Sequence, residues 1–210
     1  MNNERRFSPE RPRVFETEIR ANLYPQQRSD IFKKLVGIEA EYKGYQKIID
    51  TYYCPLRTTS FSDLEMNEVG SFSLRLRKIT NQDNTSAYEW NIKQIVKKYD
   101  HSSWAEYETT VDSYDNADRM IKIMGNKPFI TIEKIRHIHT LNKNGQEYKL
   151  LVEDIKNYGS ILEIETFPTL NNVNNSKRDM HELLSSLEIE ENQIVPKSVT
   201  NIIMREHSQF

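Results

Sequence analysis

Charged and apolar residues alternate along several segments of this chain, and both signs of charge follow that period. Two acidic pairs, Glu16 with Glu18 and Glu163 with Glu165, have one residue between their members and occur near opposite ends of the sequence. Segments between them carry basic pairs at the same spacing, as in SLRLR and EKIR. Because residues i and i+2 of a β-strand point to the same face, each pair directs two like charges to one side of a sheet. Carboxylates gathered in this way need a cation between them.

The alternation predicts eight strands, and helical spacing of apolar residues predicts three helices. Mostly antiparallel strands in this number favour a closed or strongly curved sheet over an open one with exposed edges. The apolar strand faces then need covering, and amphipathic helices can cover them. We therefore predict an α+β fold, an eight-stranded antiparallel β-barrel with a charged interior and helices packed outside. The predicted strands are Val14–Leu23, Tyr45–Cys54, Ser71–Thr80, Ala87–Val96, Trp104–Asp112, Phe129–Leu141, Glu147–Asp154 and Tyr158–Phe167, and the predicted helices are Asp30–Tyr42, Asn116–Met124 and Arg178–Leu187.

Two segments predict irregular structure between these elements. Asn142–Gly145 joins two strand patterns, and it predicts a hairpin because Asn and Gly tolerate positive φ angles. The asparagine-rich segment Asn171–Asn175 predicts a loop.

Length and composition limit the class of protein. The 210 residues are enough for one well-buried domain, which we predict over residues 14–210, after a polar, flexible arm at residues 1–13. The formal net charge of −2 gives no indication of a general affinity for nucleic acid or anionic membranes. A single cysteine, Cys54, excludes an internal disulfide. Without an apolar run of membrane-spanning length or the apolar core of a secretory signal, the sequence predicts a cytoplasmic protein.

The charged pairs support a binding site only in combination. One acidic pair on a strand is usually a solvated face, and basic pairs commonly form weak surface ion pairs. A third acidic pair, Glu106 with Glu108, makes a shared cation site a stronger interpretation. Together the two signs suit a polyphosphate held by cationic side chains and a divalent metal. The five histidines lack the spacing of a zinc site, and no glycine-rich phosphate loop is present.

The order of these motifs resembles the CYTH family, also called triphosphate tunnel metalloenzymes. The succession is ETEIR, DTYY, SLRLR, NIK, EYE, EKIR and VEDIKNYGSILEIE, and the resemblance covers Val14–Val199. Its most specific part is DIKNYGSILEIE, which is similar to the family segment D-x-V-x-x-L-G-x-F-x-E-I-E. The family fold is an eight-stranded antiparallel tunnel, and the family includes class IV adenylyl cyclases, thiamine triphosphatases and inorganic triphosphatases.

Four positions depart from the family pattern. Arg20 replaces the lysine of the opening ExExK signature, which keeps the charge but cannot readily accept a proton. Cys54 stands where many members have aspartate, Ala105 where arginine is common, and Tyr158 where leucine is usual. None of the four removes an acidic residue of the expected metal site, so the departures bear on substrate choice and rate.

The resemblance implies a role for each matching residue. The expected cofactor is Mg²⁺ or Mn²⁺, and Glu18, Arg20, Glu163 and Glu165 would take part in catalysis. The residues expected to grip the phosphates are Arg20, Arg75, Arg77, Lys93, Lys134 and Arg136. The residues expected to hold the metal are Glu16, Glu18, Glu106, Glu108, Asp154, Glu163 and Glu165.

Three functional classes remain open at this point. A metal-dependent triphosphatase, acting on inorganic triphosphate, a nucleotide, another organic triphosphate or an RNA 5′ end, is favoured because it needs only a grip on phosphates and water. A class IV adenylyl cyclase would convert ATP to cyclic AMP and pyrophosphate, and would also need a base pocket. A polyphosphate- or nucleotide-binding module would keep the charged lining without turnover. The expected partner is a triphosphate-containing small molecule, and a homodimer is left open.

Overall fold

Eight antiparallel strands form a closed barrel in the computed structural model, which describes residues 15–60, 64, 68–99, 102–196 and 200–203. The predicted arm at residues 1–13 lies outside the described residues. The strands are β1 (Phe15–Leu23), β2 (Glu41–Pro55), β3 (Phe72–Asn81), β4 (Ser86–Ile95), β5 (Ser103–Thr110), β6 (Asn126–Lys143), β7 (Gln146–Ile155) and β8 (Gly159–Thr166). Their order around the barrel is β1-β5-β4-β3-β2-β6-β7-β8, and β8 pairs with β1. The predicted fold class is confirmed.

The turn between β6 and β7 fixes the register of the strands that carry part of the charged lining. Lys143 lies opposite Gln146, so Asn144 and Gly145 form a two-residue turn. Their φ angles are 53° and 75°, the positive values that this kind of tight turn requires. The predicted hairpin is therefore present, and it sets Arg136 opposite Glu153.

Helix α1 (Pro25–Gly37) differs from the predicted span of Asp30–Tyr42 at both ends. It begins earlier because proline suits the first helical position, where the backbone N–H has no partner within the helix. It ends earlier because Glu39 takes a left-handed φ of 62°, which breaks the helix. The residues from Glu41 onward belong to β2, so the predicted helix was wrong there.

Helices α2 (Tyr114–Ile123) and α3 (Val173–Ser186) also begin before their predicted starts. The Ser113 hydroxyl caps α2 by accepting a hydrogen bond from the backbone N–H of Asn116. The start of α3 includes part of the asparagine-rich segment that was predicted to be a loop, so that prediction was wrong for residues 173–175. Few apolar residues lie in these first turns, so apolar periodicity could not reveal them.

The helices cover the outer, apolar face of the barrel. The largest cluster joins β1, β7 and β8 to α1 and α3, and its buried residues include Leu150, Leu162, Ile164, Ile31, Leu35, Met180, Leu183 and Leu184. A second cluster joins β2 and β3 to α2 through Tyr53, Leu74, Leu76, Ala117 and Ile121. Because apolar residues face outward to the helices, the alternating charged residues face the interior. Among the described residues, no helix has both the length and the apolar character needed to span a membrane.

Truncating the outer core should destabilise the barrel without touching its interior. Leu184→Ala removes a side chain that is 2% exposed between α3 and the barrel, and should lower the free energy of unfolding by about 2–5 kcal/mol. The matched control is Leu56→Ala, because Leu56 is 60% exposed, and it should change stability by no more than about 0.5 kcal/mol. Urea unfolding of both variants measures the difference. Equal losses in the two would contradict the assignment of this core.

Candidate functional site

The barrel encloses a cavity of about 370 Å³. This volume lies within the range of pockets that hold small molecules. The lining includes every sequence-predicted site residue except Asp154: Glu16, Glu18, Arg20, Arg75, Arg77, Lys93, Glu106, Glu108, Lys134, Arg136, Glu163 and Glu165. Residues that are far apart in the sequence are therefore brought into one enclosed, charged space.

The three acidic pairs and the two basic pairs lie on opposite walls of this cavity. Strands β8, β1 and β5 are neighbours and carry the three acidic pairs, whereas β3, β2 and β6 are neighbours and carry the two basic pairs. Strands β4 and β7 stand between the two walls and contribute residues of both signs, such as Lys93 and Glu153. The segregation follows from strand order, since strands that are consecutive in the sequence are not all neighbours in the barrel.

The acidic wall has more carboxylates than nearby cations. Lys93 is ion-paired with Glu16, and its Nζ lies 3.6 Å from Glu18 Oε2 and 3.9 Å from Glu106 Oε1. Burial, reinforced by the neighbouring carboxylates of Glu18, Glu106 and Glu165, raises the pKa of Glu16 well above its usual value despite the opposing effect of Lys93. One lysine therefore does not neutralise this wall.

Arg20 joins the two acidic pairs that lie furthest apart in the sequence. Its Nε donates to Glu163 Oε2 at 2.5 Å, and its Nη2 is ion-paired with Glu18 Oε1. Burial acts to lower the pKa of Arg20, but the carboxylates of Glu18 and Glu163 raise it overall. The guanidinium is therefore a permanent cation that links β1 to β8.

A tryptophan also contributes to the acidic wall. The indole N–H of Trp104 donates to Glu18 Oε1 at 2.5 Å. The other oxygen, Glu18 Oε2, is buried and accepts no hydrogen bond from any described residue. The charge pattern of the sequence does not indicate Trp104, because an indole side chain carries no charge.

The basic wall is organised around Asp50, the first residue of the DTYY motif, for which no role was predicted. Arg77 donates to its two oxygens at 2.6 and 2.9 Å, and Arg75 Nε and Lys134 Nζ each lie 3.8 Å away. Burial acts to raise the pKa of Asp50, but Arg77, Arg75 and Lys134 hold it well below its usual range. Asp50 therefore stays ionised and gathers three cations on one side of the cavity. It shares its strand face with Tyr52, and the alternation of β2 could have revealed it.

Glu153 takes the inward position that was predicted for Asp154. Its carboxylate accepts from Lys134 Nζ at 2.9 Å and from Arg136 Nε at 2.6 Å. Asp154 points to the opposite face of β7, where Arg28 of α1 donates to it at 2.7 and 2.6 Å and Ser160 donates at 2.6 Å. The structure thus does not bring Asp154 into the cavity, and the reason is the alternation of strand faces. The observed register of the β6–β7 hairpin agrees, since it sets Glu153 opposite Arg136 of the cavity lining.

The donor chemistry of the acidic wall fits a divalent cation. Carboxylates are the ligands that Mg²⁺ and Mn²⁺ prefer, and this wall combines an excess of carboxylates with a buried carboxylate oxygen that lacks a hydrogen bond. In the described part of the chain, no three acidic, histidine or cysteine side chains already form a closed ligand group. Protein cations lie between the carboxylates instead, so binding of a metal would require Lys93 to move away from Glu16.

Comparison with known proteins agrees with this architecture. The family model described as "CYTH domain" matches residues 15–199, so the chain belongs to the CYTH family. This family covers triphosphatases and adenylyl cyclases, its members act on triphosphates, and they generally depend on divalent metals. No curated protein sequence matches the chain significantly.

Solved structures share the fold at low sequence identity. The PH1012 protein of Pyrococcus horikoshii OT3 is 23% identical, with a TM-score of 0.69 over 87% of this chain and 95% of that one. The PH1819 protein of the same organism is 16% identical, with a TM-score of 0.74 over 91% and 99% of the two chains. A Vibrio parahaemolyticus protein named provisionally as an adenylate cyclase is 16% identical, with a TM-score of 0.72 over 90% and 98%.

Removing the carboxylate of Asp50 should destabilise the protein at neutral pH. Asp50→Asn leaves three cations buried around a neutral side chain, and loss of one partner from a buried ion pair costs about 3–5 kcal/mol of unfolding free energy. The folded-state pKa of Asp50 lies below the unfolded value of about 3.9. Its stabilising charge is therefore fully present above that pH and is lost as the pH falls toward the folded-state pKa.

Urea unfolding at about pH 7 and about pH 3 measures this effect, and the gap between wild type and Asp50→Asn should shrink at the lower pH. The control is Asp30→Asn on the exposed surface of α1, which should stay within about 0.5 kcal/mol of wild type. An Asp50→Asn protein as stable as wild type at neutral pH would show that Asp50 does not hold the basic wall together.

Proposed function

We propose that this protein is a divalent-metal-dependent triphosphatase that binds a triphosphate group inside the barrel. The observation that carries the proposal is the segregation of charge, with acidic β8, β1 and β5 facing basic β3, β2 and β6 across an enclosed cavity. A chain of phosphates fits between such walls, because its oxygens need cations on both sides. On one side the cations are arginines and lysines of the protein. On the other, a divalent cation would lie between phosphate and carboxylates.

The basic wall is suited to gripping the phosphates. Arg75, Arg77, Lys134 and Arg136 reach the cavity from two strands, and guanidinium groups match phosphate oxygens in two-point geometry. Hydrogen bonds to Asp50 and Glu153 hold these cations in place. The transition state of phosphoryl transfer spreads negative charge over the phosphate oxygens, so fixed cations that need no rearrangement stabilise it.

The acidic wall is suited to holding Mg²⁺ or Mn²⁺. Glu16, Glu18, Glu163 and Glu165 would be its main ligands, with Glu106 and Glu108 completing the acidic side. Such a cation, once bound, neutralises phosphate oxygens and lowers the pKa of a water molecule bound to it. Arg20 keeps Glu18 and Glu163 in place, and its permanent charge excludes it from acting as a base.

Product analysis separates hydrolysis from the alternatives. The purified protein is incubated with inorganic triphosphate, ATP, GTP and thiamine triphosphate, each with Mg²⁺ or Mn²⁺, and phosphate, pyrophosphate and cyclic nucleotide are resolved. We expect metal-dependent release of phosphate. Cyclic AMP with pyrophosphate from ATP would instead identify an adenylyl cyclase, and binding without any product would identify a binding module.

Loss of one acidic ligand should stop turnover without unfolding the barrel, because Arg20 still has Glu18 as a partner when residue 163 is neutral. In the same assay, we expect Glu163→Gln to lower activity by at least about 100-fold, because it removes a metal-binding charge with little change in volume. The matched control is Glu133→Gln, since Glu133 lies on the outer face of β6 in a surface ion pair with Lys156, and its activity should equal that of wild type. Full activity of Glu163→Gln at low Mg²⁺ would contradict the metal assignment.

Truncation of the basic wall should weaken triphosphate binding more than monophosphate binding. Arg75 and Lys134 lie on different strands, and a chain of phosphates offers them more oxygens than a monophosphate does. Each charge-assisted contact contributes about 1.5–3 kcal/mol, so Arg75→Ala or Lys134→Ala should weaken triphosphate binding by roughly 10- to 100-fold. Calorimetry with saturating Mg²⁺ measures both ligands, and Lys47→Ala on the exposed face of β2 is the control. Equal losses for the two ligands would contradict the proposed grip.

A further inference from the structure

The uncharged indole of Trp104 lines the cavity of the barrel, next to charged residues. Its side chain lines the cavity, is 2% exposed and stands opposite Glu16 where β1 pairs with β5. A buried tryptophan ring at such a place needs a partner for its N–H. The partner is Glu18 Oε1, at 2.5 Å.

The two oxygens of Glu18 have different surroundings. Oε1 takes the indole N–H of Trp104 and the guanidinium of Arg20. Oε2 is buried and accepts no hydrogen bond within the described part of the chain, and Lys93 Nζ lies 3.6 Å from it. Two donors thus hold Oε1 in place. Oε2 remains able to accept a further bond, and it lies among the other carboxylates of the acidic wall.

We propose that Trp104 is a positioning residue for the divalent-cation site, holding Glu18 by Oε1 so that Oε2 is presented to the metal. The inference rests on the proposed function and deepens it. Hydrogen bonds to a ligating carboxylate fix its orientation and tune metal affinity. The indole suits this role because it is a donor without charge, so it orients the carboxylate without repelling an incoming cation or titrating with pH. Arg20, the other donor to Oε1, adds positive charge instead.

A tryptophan with only a packing role would give a different experimental result when it is replaced. Its loss would change the free energy of unfolding, but not the metal affinity of the molecules that remain folded. Trp104→Phe keeps most of the ring volume and removes only the N–H. Trp90→Phe is the matched control, because Trp90 packs against the outer cluster beneath α2.

Calorimetric titration of the full chain with Mn²⁺ alone, without substrate, tests the proposal. Trp104→Phe should bind Mn²⁺ about 10- to 100-fold more weakly than wild type, and Trp90→Phe should bind it as wild type does. Urea unfolding of each variant gives the folded fraction at the titration temperature. Unchanged Mn²⁺ affinity in Trp104→Phe would overturn the proposal, as would a loss no larger than the loss of folded protein.

A second measurement on the wild-type protein keeps the proposal testable even where Trp104→Phe does not fold. The chain has two tryptophans, so two indole N–H signals appear in a ¹⁵N–¹H spectrum, and Trp90→Phe assigns them. Mg²⁺ should shift the Trp104 signal and leave that of Trp90 in place. If calorimetry shows Mg²⁺ binding and the Trp104 signal does not shift, the role of Trp104 is overturned. The proposed metal site is then unaffected. Absence of Mn²⁺ and Mg²⁺ binding to wild type would instead overturn the proposed metal site, and the inference with it.

Discussion

Ion pairing inside the closed barrel is the constraint on which the rest of the structure depends. Taking a charged side chain out of water costs several kcal/mol, and opposite charges offset that cost only when their geometry is good. Asp50 meets this condition for the basic wall, and Arg20 meets it at the seam between β1 and β8. The outer apolar clusters and the helices that cover them follow from this arrangement, because an inward charged face leaves the apolar residues pointing outward.

The same ion pairing is incomplete around Glu16, so the acidic and basic walls differ in how fully their charges are balanced. On the basic wall every cation named above has a carboxylate partner, whereas on the acidic wall one lysine is shared among three carboxylates. Burial acts to raise the pKa of both Glu16 and Asp50, but only at Asp50 do the neighbouring cations overcome it and lower the pKa. The ligand with the best electrostatic match to such a cavity carries positive charge next to the acidic wall and negative charge next to the basic wall.

Much of this arrangement could be predicted from the sequence, because strand alternation alone determines which side a residue faces. The acidic and basic pairs, the eight strands and the hairpin turn at Asn144 were all predictable in this way. Glu153 was missed because the family resemblance pointed to Asp154, and neighbouring residues of a strand face opposite sides of the sheet. Trp104 was missed for a different reason: its contribution is one hydrogen bond made through tertiary structure, which no local charge pattern reveals.

The pairing of the first and last strands affects when the barrel can close during synthesis and folding. Arg20 and Glu163 are 143 residues apart, and the acidic wall contains residues from both sides of that gap. Contacts of such long sequence separation form late, since the intervening chain must be ordered before its ends can meet. During synthesis, Glu18 and Arg20 therefore remain without their β8 partners until nearly the whole barrel has emerged from the ribosome. The complete acidic wall is therefore present only in a barrel whose first and last strands have paired.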